Sequence, residues 1–275
     1  MKPKPYVGIT GPVTEQEVSY IVTQFNSCGY NMSSSHLPML GFLVSQKTLN
    51  GEHVNNRRYP EFKYLRGLIE RTENKVLSMI HYNSREMSTL SEQLKRVFDE
   101  IYDICKAVQL NIIFPDIKQI AKIKKELPDL QIVFQASKSV IGSKSSKELS
   151  EKVFEYGDLI DYVLIDPSGG KGIEINLEHY IDFYNEISSN ANLTVGFAGG
   201  FTGENVVSRV NGLIDRIGHN NFCIDVEGGL RDKITPDYGD DILNEDKVRS
   251  YLQESSKVLT FKHLLLQSVL SADQV

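Results

Sequence analysis

Three stretches near the end of the chain decide how the rest is read: DYVLIDPSGGKG (Asp161 to Gly172), LTVGFAGGFTGENV (Leu193 to Val206) and FCIDVEGGLRD (Phe222 to Asp232). Each runs as an apolar strand that closes on an acidic residue, a Gly-Gly pair or both, and helical sequence follows the first two. Strand ends that carry carboxylates and glycines build an anion site in a barrel of alternating strands and helices. The carboxylates supply chemistry there, and the glycines let backbone N–H groups approach a phosphate.

Outward from these stretches the same alternation recurs. Apolar, β-rich runs lie at Tyr6–Thr10, Met39–Ser45, Lys75–Tyr82, Val108–Ile113, Gln131–Ala136, Asp161–Asp166, Leu193–Ala198 and Phe222–Glu227. Segments of helical period separate them, with start signals at Thr14, Ser88, Asp116, Ser146 and Thr202 and an amphipathic run at Leu177–Ile187. Eight strand–helix units predict parallel strands closed into an α/β fold, the (β/α)8 or TIM barrel. An open doubly wound sheet is the alternative, but no GxGxxG follows the first strand.

At 275 residues the chain reads as a single domain, with the barrel at about 5–258 and a helical extension at about 259–275. Two regions exceed a minimal barrel. The polar, Asn-rich insertion Leu49–Pro60 (LNGEHVNNRRYP) reads as either a lid or a solvated loop. Beyond the eighth strand, Lys233–Asn244 reads as a loop, followed by helix from Glu245 to about Leu270. The apolar LTFKHLLLQSVL is suited to bury a face on the barrel wall or against a second copy, as in a homodimer.

A net charge of -6 argues against nucleic acid or an anionic membrane surface as partner. Cys28, Cys105 and Cys223 show no CxxC spacing, so neither a zinc site nor a disulfide scaffold is expected. No signal core opens the sequence, and no apolar run reaches the roughly 20 residues of a membrane span. A cytoplasmic protein is expected.

Candidate chemistry gathers at strand ends. Asp166, ending the sixth strand beside Gly170, is suited to general acid work. Gly199, Gly200, Gly228 and Gly229 end the seventh and eighth strands, where such barrels most often bind phosphate. His81 and Asn83 share a facing, as do Gln109 with Asn111, Gln135 with Ser137, and Asp225 with Glu227. These pairs form a pocket lining or a satisfied polar layer in the core. Lys47, Arg57, Arg58, Lys171 and Arg231 are basic candidates for a substrate anion. His81 with Asp225 and Glu227 raises a metal reading, but the second strand offers nothing to complete the set. No metal and no cofactor are expected.

With these residues laid out, the chain resembles phosphoribosylanthranilate isomerase, a ribulose-phosphate-binding barrel. VGITG with TEQEV is similar to the family's opening strand and helix start, LGFLVSQKT to its second strand, and VQLN to its QLHG. LIDPSGGKG resembles its LLD followed by GGTG, FAGGFTGENV its LAGGL with an NV helix, and IDVEGGLRD its DVSSG followed by KD. The resemblance implies that Asp166 is the general acid, that the four glycines form the phosphate loops and that Asp225 lies beside the substrate. It breaks at the family's catalytic cysteine, whose slot holds Val7 or, in another register, Thr10. His81 is the expected replacement base, because its unperturbed pKa is near neutrality. The implied function is an isomerase or related acid/base enzyme on a small phosphorylated sugar. The alternatives are a non-catalytic phosphosugar-binding barrel and a metal-dependent epimerase or aldolase.

Overall fold

In the computed structural model eight parallel strands hydrogen-bond in sequence order, and β1 closes the ring on β8. Residues 2–169, 171, 180–189 and 192–260 are described. The strands are β1 Tyr6–Thr10, β2 Leu37–Ser45, β3 Leu77–Asn83, β4 Ala107–Leu110, β5 Gln131–Ser137, β6 Tyr162–Asp166, β7 Thr194–Ala198 and β8 Cys223–Val226. Every expected strand is present. The fourth ends three residues early, because the chain turns away through Phe114 at a φ of 44° before Pro115.

Side chains alternate along each strand, so every strand serves two apolar layers. Tyr6, Met39, Met79, Val133, Tyr162, Leu164 and Cys223 fill the barrel interior. Val7, Ile9, Phe42, Ile80, Phe134 and Ile165 face outward into the layer beneath the helices.

That outer layer is covered by α1 Glu15–Ser27, α3 Leu65–Glu70, α4 Leu90–Ile101, α5 Ile117–Glu126, α7 Ser146–Phe154, α8 Ile181–Ser188, α9 Val206–Ile217 and α10 Glu245–Leu259, while the one-turn α2 Gln46–Leu49 and α6 Lys138–Ile141 follow β2 and β5 directly. The start signals act as expected for α1, where Thr14 and Glu17 form a reciprocal capping box, and for α5, capped by Asp116. Elsewhere the cap lies a residue or more from the expected one, at Thr89, Ser145 and Asn205. Asn244 caps α10, which packs on α1, and Ser255 Oγ meets the Oη of Tyr30, just beyond α1, at 3.0 Å. The part of the C-terminal extension beyond Thr260 lies outside the described residues. No described helix is long and apolar enough to cross a membrane.

Both added regions are structured. Lys233–Asn244, expected as a loop, carries β10 Asp241–Leu243, which pairs antiparallel with β9 Arg231–Lys233. The insertion after β2 docks on this hairpin: Arg57 N–H donates to Gly239 O at 2.9 Å, and Arg57 Nε meets Asp240 Oδ1 at 2.6 Å. Both lie at the C-terminal ends of the barrel strands.

Candidate functional site

A cavity of about 280 Å3 opens at those C-terminal ends. His81, Asn83, Gln109, Asn111, Gln135, Asp166, Gly199, Gly200, Asp225, Gly228 and Gly229 all line it. Pairing explains the convergence: His81 is opposite Gln109 in the ladder, and Asp225 is opposite Gly8 and Ala198, so inward residues of neighbouring strands stand at similar height. Gly170 lies outside the described residues. Lys47 and Arg57 are exposed and do not line the cavity, so neither is placed to hold a ligand there.

Asp166 is 4% exposed and fully engaged on one oxygen. Its Oδ1 accepts from Ser168 N–H at 3.0 Å, Ser168 Oγ at 2.8 Å and Gly169 N–H at 3.0 Å, a turn set by the residues that follow β6. Among the described residues its Oδ2 accepts one bond, from Gln135 Nε2 at 2.7 Å. Oδ2 is therefore the oxygen with capacity to exchange a proton.

Asp225 is buried on β8, where its carboxyl accepts from the Thr10 hydroxyl at 3.3 Å and from the Val226 backbone N–H. Burial pushes its carboxyl well above the usual range, and the nearby Glu227 and Asp166 charges push the same way. Thr10 Oγ1 also sits 3.5 Å from His81 Nε2. His81 is 2% exposed, and burial pushes it down to about 3, so its ring is neutral at physiological pH. A near-neutral pKa was the ground for expecting His81 as the base, and burial removes that ground. Of the two residues considered for the missing cysteine's slot, Val7 packs outward beneath the helices, whereas Thr10 reaches the site. Cys28 lies at the end of α1 beside α10, remote from the cavity.

The β7 and β8 turns lie against each other. Gly199 and Gly200 have φ of 116° and 68°, values that disfavour any side chain, and a Cβ on Gly229 would collide with the Phe201 carbonyl. Asn205 holds the first turn by donating to Gly200 O and accepting from Thr202 N–H, both at 2.9 Å. Gly228 and Gly229 open a 3-10 turn, so their N–H groups are not used by that turn's own bonds.

The insertion, read from sequence as either a lid or a solvated loop, forms part of a cover, whose tyrosines the sequence reading did not single out. Tyr59 and Tyr238 line the cavity from the insertion and the β9–β10 hairpin; the Tyr59 hydroxyl bonds Asn83, and the Tyr238 hydroxyl donates to Gly169 O at 3.3 Å. Arg58, 3% exposed, locks the two segments together. It bonds Asp241 through Nε at 3.0 Å and Nη2 at 2.5 Å, meets Glu227 Oε1 through Nη1 at 2.5 Å, and lies over the Tyr238 ring at 4.8 Å. Arg231 Nε adds a second bond to Asp241 Oδ1 at 2.6 Å. Burial raises the Glu227 carboxyl despite the opposing Arg58 charge, while the two arginines hold Asp241 below the usual range against its burial. Arg58 and Arg231 are thus structural partners of carboxylates. The adjacent Arg-Arg pair was the only sequence signal for this lock, and nothing local distinguished Arg58 from Arg57. No group of three His, Cys, Asp or Glu among the described residues is arranged to hold a metal ion.

No protein-family model matches the chain, and no curated protein matches its sequence. Solved structures do share its fold. A phosphoribosyl anthranilate isomerase from Thermus thermophilus superposes with a TM-score of 0.61 at 14% identity, over 92% of this chain and 99% of that one. TrpF from Jonesia denitrificans gives 0.55 at 14% identity, over 92% and 98%. The tryptophan synthase alpha subunit from Legionella pneumophila gives 0.55 at 10% identity, over 93% and 91%. At such identities the likeness is one of fold, a TIM barrel.

Proposed function

We propose that this barrel is an acid/base enzyme acting on a small phosphorylated sugar, an isomerase in kind. The observation that carries the reading is one cavity shared by the four glycines of the β7 and β8 turns and by two carboxyl groups in contrasting surroundings. The turns offer backbone N–H groups to a dianionic headgroup. Asp225, whose carboxyl burial pushes well above the usual range, stands as proton donor, and Asp166 Oδ2 as proton acceptor, the reverse of the general-acid role expected of Asp166 from the sequence. In an aldose–ketose interconversion Asp166 takes the proton beside the carbonyl while Asp225 gives its own to the carbonyl oxygen. The reverse transfers at the neighbouring carbon complete the step with no net change in protons. Neutral His81 orients the Thr10 hydroxyl that bonds Asp225.

The low pKa of His81 favours a second reading, a phosphosugar-binding barrel without turnover. Incubation with ribose 5-phosphate followed by 31P NMR separates the two. Isomerisation reduced roughly 100-fold or more by both Asp166→Asn and Asp225→Asn is expected of the enzyme, and binding without conversion supports the second reading. Complementation of a strain lacking phosphoribosylanthranilate isomerase tests the related reaction.

A further inference from the structure

Tyr238 ties the cover to the turn that carries Asp166. It lines the cavity from the β9–β10 hairpin, and its hydroxyl donates across to Gly169 O at 3.3 Å. The same glycine gives its N–H to Asp166 Oδ1 at 3.0 Å. One residue of the turn after β6 is therefore held by the cover on its carbonyl and holds the carboxylate with its amide.

Gly169 has a φ of 59°, and glycine has the widest backbone freedom of any residue, so the turn draws its shape from bonded partners rather than from its own preference. Ser168 supplies two of those bonds, from N–H and Oγ to Asp166 Oδ1. Tyr238 supplies one from outside the turn. The tyrosine is itself fixed from the insertion, because Arg58, bonded to Asp241 and Glu227, lies over its ring at 4.8 Å. A carboxylate is planar and rigid, so whatever turns Oδ1 also turns Oδ2, the oxygen with capacity to exchange a proton.

Building on the acid/base reading, we infer that Tyr238 is a positioning residue for Asp166: its hydroxyl holds Gly169 and, through Gly169, the direction of Oδ2. Seating of the hairpin on the β6 turn is then part of assembling the acid/base pair. The contribution falls on turnover rather than on stability, because one bond from a residue 48% exposed adds little to the fold.

Tyr238→Phe in the intact protein tests this, since it keeps the ring beneath Arg58 and removes the hydroxyl. With ribose 5-phosphate, kcat is expected to fall roughly tenfold while KM stays within about twofold, the mark of an interaction that orients a reacting group. Amide hydrogen exchange at Gly169, followed by NMR without substrate, should quicken, and a thermal midpoint near the parent's confirms folding. Arg57→Met loosens the same cover without touching Gly169 and should keep kcat within about twofold of the parent. Unchanged kcat or unchanged Gly169 exchange in Tyr238→Phe, or an equal fall in Arg57→Met, overturns the inference and leaves the acid/base reading standing. Absence of turnover in the parent protein overturns that reading and this inference with it.

Discussion

The glycine turns after β7 and β8 and the tyrosine cover above them face the same cavity but are built by opposite means. The turns are largely local: Gly199 and Gly200 take their shapes from residues within a few positions, such as Asn205, and Gly228 and Gly229 open a 3-10 turn closed by Arg231 N–H on Gly228 O. The cover is assembled from chain segments about 180 residues apart, joined by Arg58 to Asp241 and by Arg57 to Asp240. Local shapes follow from which conformations a residue tolerates, whereas the cover persists only while a buried charge network remains balanced.

The largest test of that contrast is Arg58→Met, which leaves Glu227 without its cation and Asp241 with Arg231 alone. Breaking a buried pair of this kind costs about 3 to 5 kcal/mol, a fall of roughly 10 °C in the melting midpoint. Arg57→Met, at a side chain 61% exposed, should change stability by under about 1 kcal/mol despite its adjacent position. Equal losses in urea denaturation would dissolve the distinction.

Stability against pH comes next, because His81 and Asp225 pull in opposite directions. His81 is neutral in the fold and is pushed from its ordinary 6.5 down to about 3. Its contribution is present above 6.5 and lost as pH falls towards 3, on the order of 5 kcal/mol, and His81→Gln should flatten that acid limb. Asp225 has a raised folded value, so its contribution is present in acid and lost as pH rises from the ordinary carboxylate range through that value. Asp225→Asn should therefore gain on the parent as pH rises, and an unchanged pH profile would contradict the upward shift.

A smaller effect is expected at the turns. Gly200→Ala forces a side chain into a φ of 68°, costing about 1 kcal/mol, with weaker phosphate affinity as the more sensitive readout. The smallest change belongs to Tyr238→Phe, which removes one bond from a residue 48% exposed, roughly 0.5 to 1 kcal/mol by chemical denaturation.

The strand ends were legible because facing alternates with period two. Once His81, Gln109, Gln135, Asp166 and Asp225 were placed on strands, their shared direction followed. Lys47 and Arg57 misled because a basic residue in a top-face loop does not reveal where its side chain points. Tyr59 and Tyr238 went unseen because neither lies in a periodic segment, and the hairpin carrying Tyr238 is too short for an alternation to be read.

The order of apolar runs, caps and glycine pairs determined by itself that eight strand–helix units close into a ring with polar groups at one end, since these patterns depend on neighbours a few positions away. Only the tertiary structure decided that Arg58 is buried while Arg57 is exposed, that Thr10 enters the site while Val7 packs outward, and that His81 stays neutral. Each of these depends on the desolvation and partners supplied by segments distant in the chain, which no local pattern encodes.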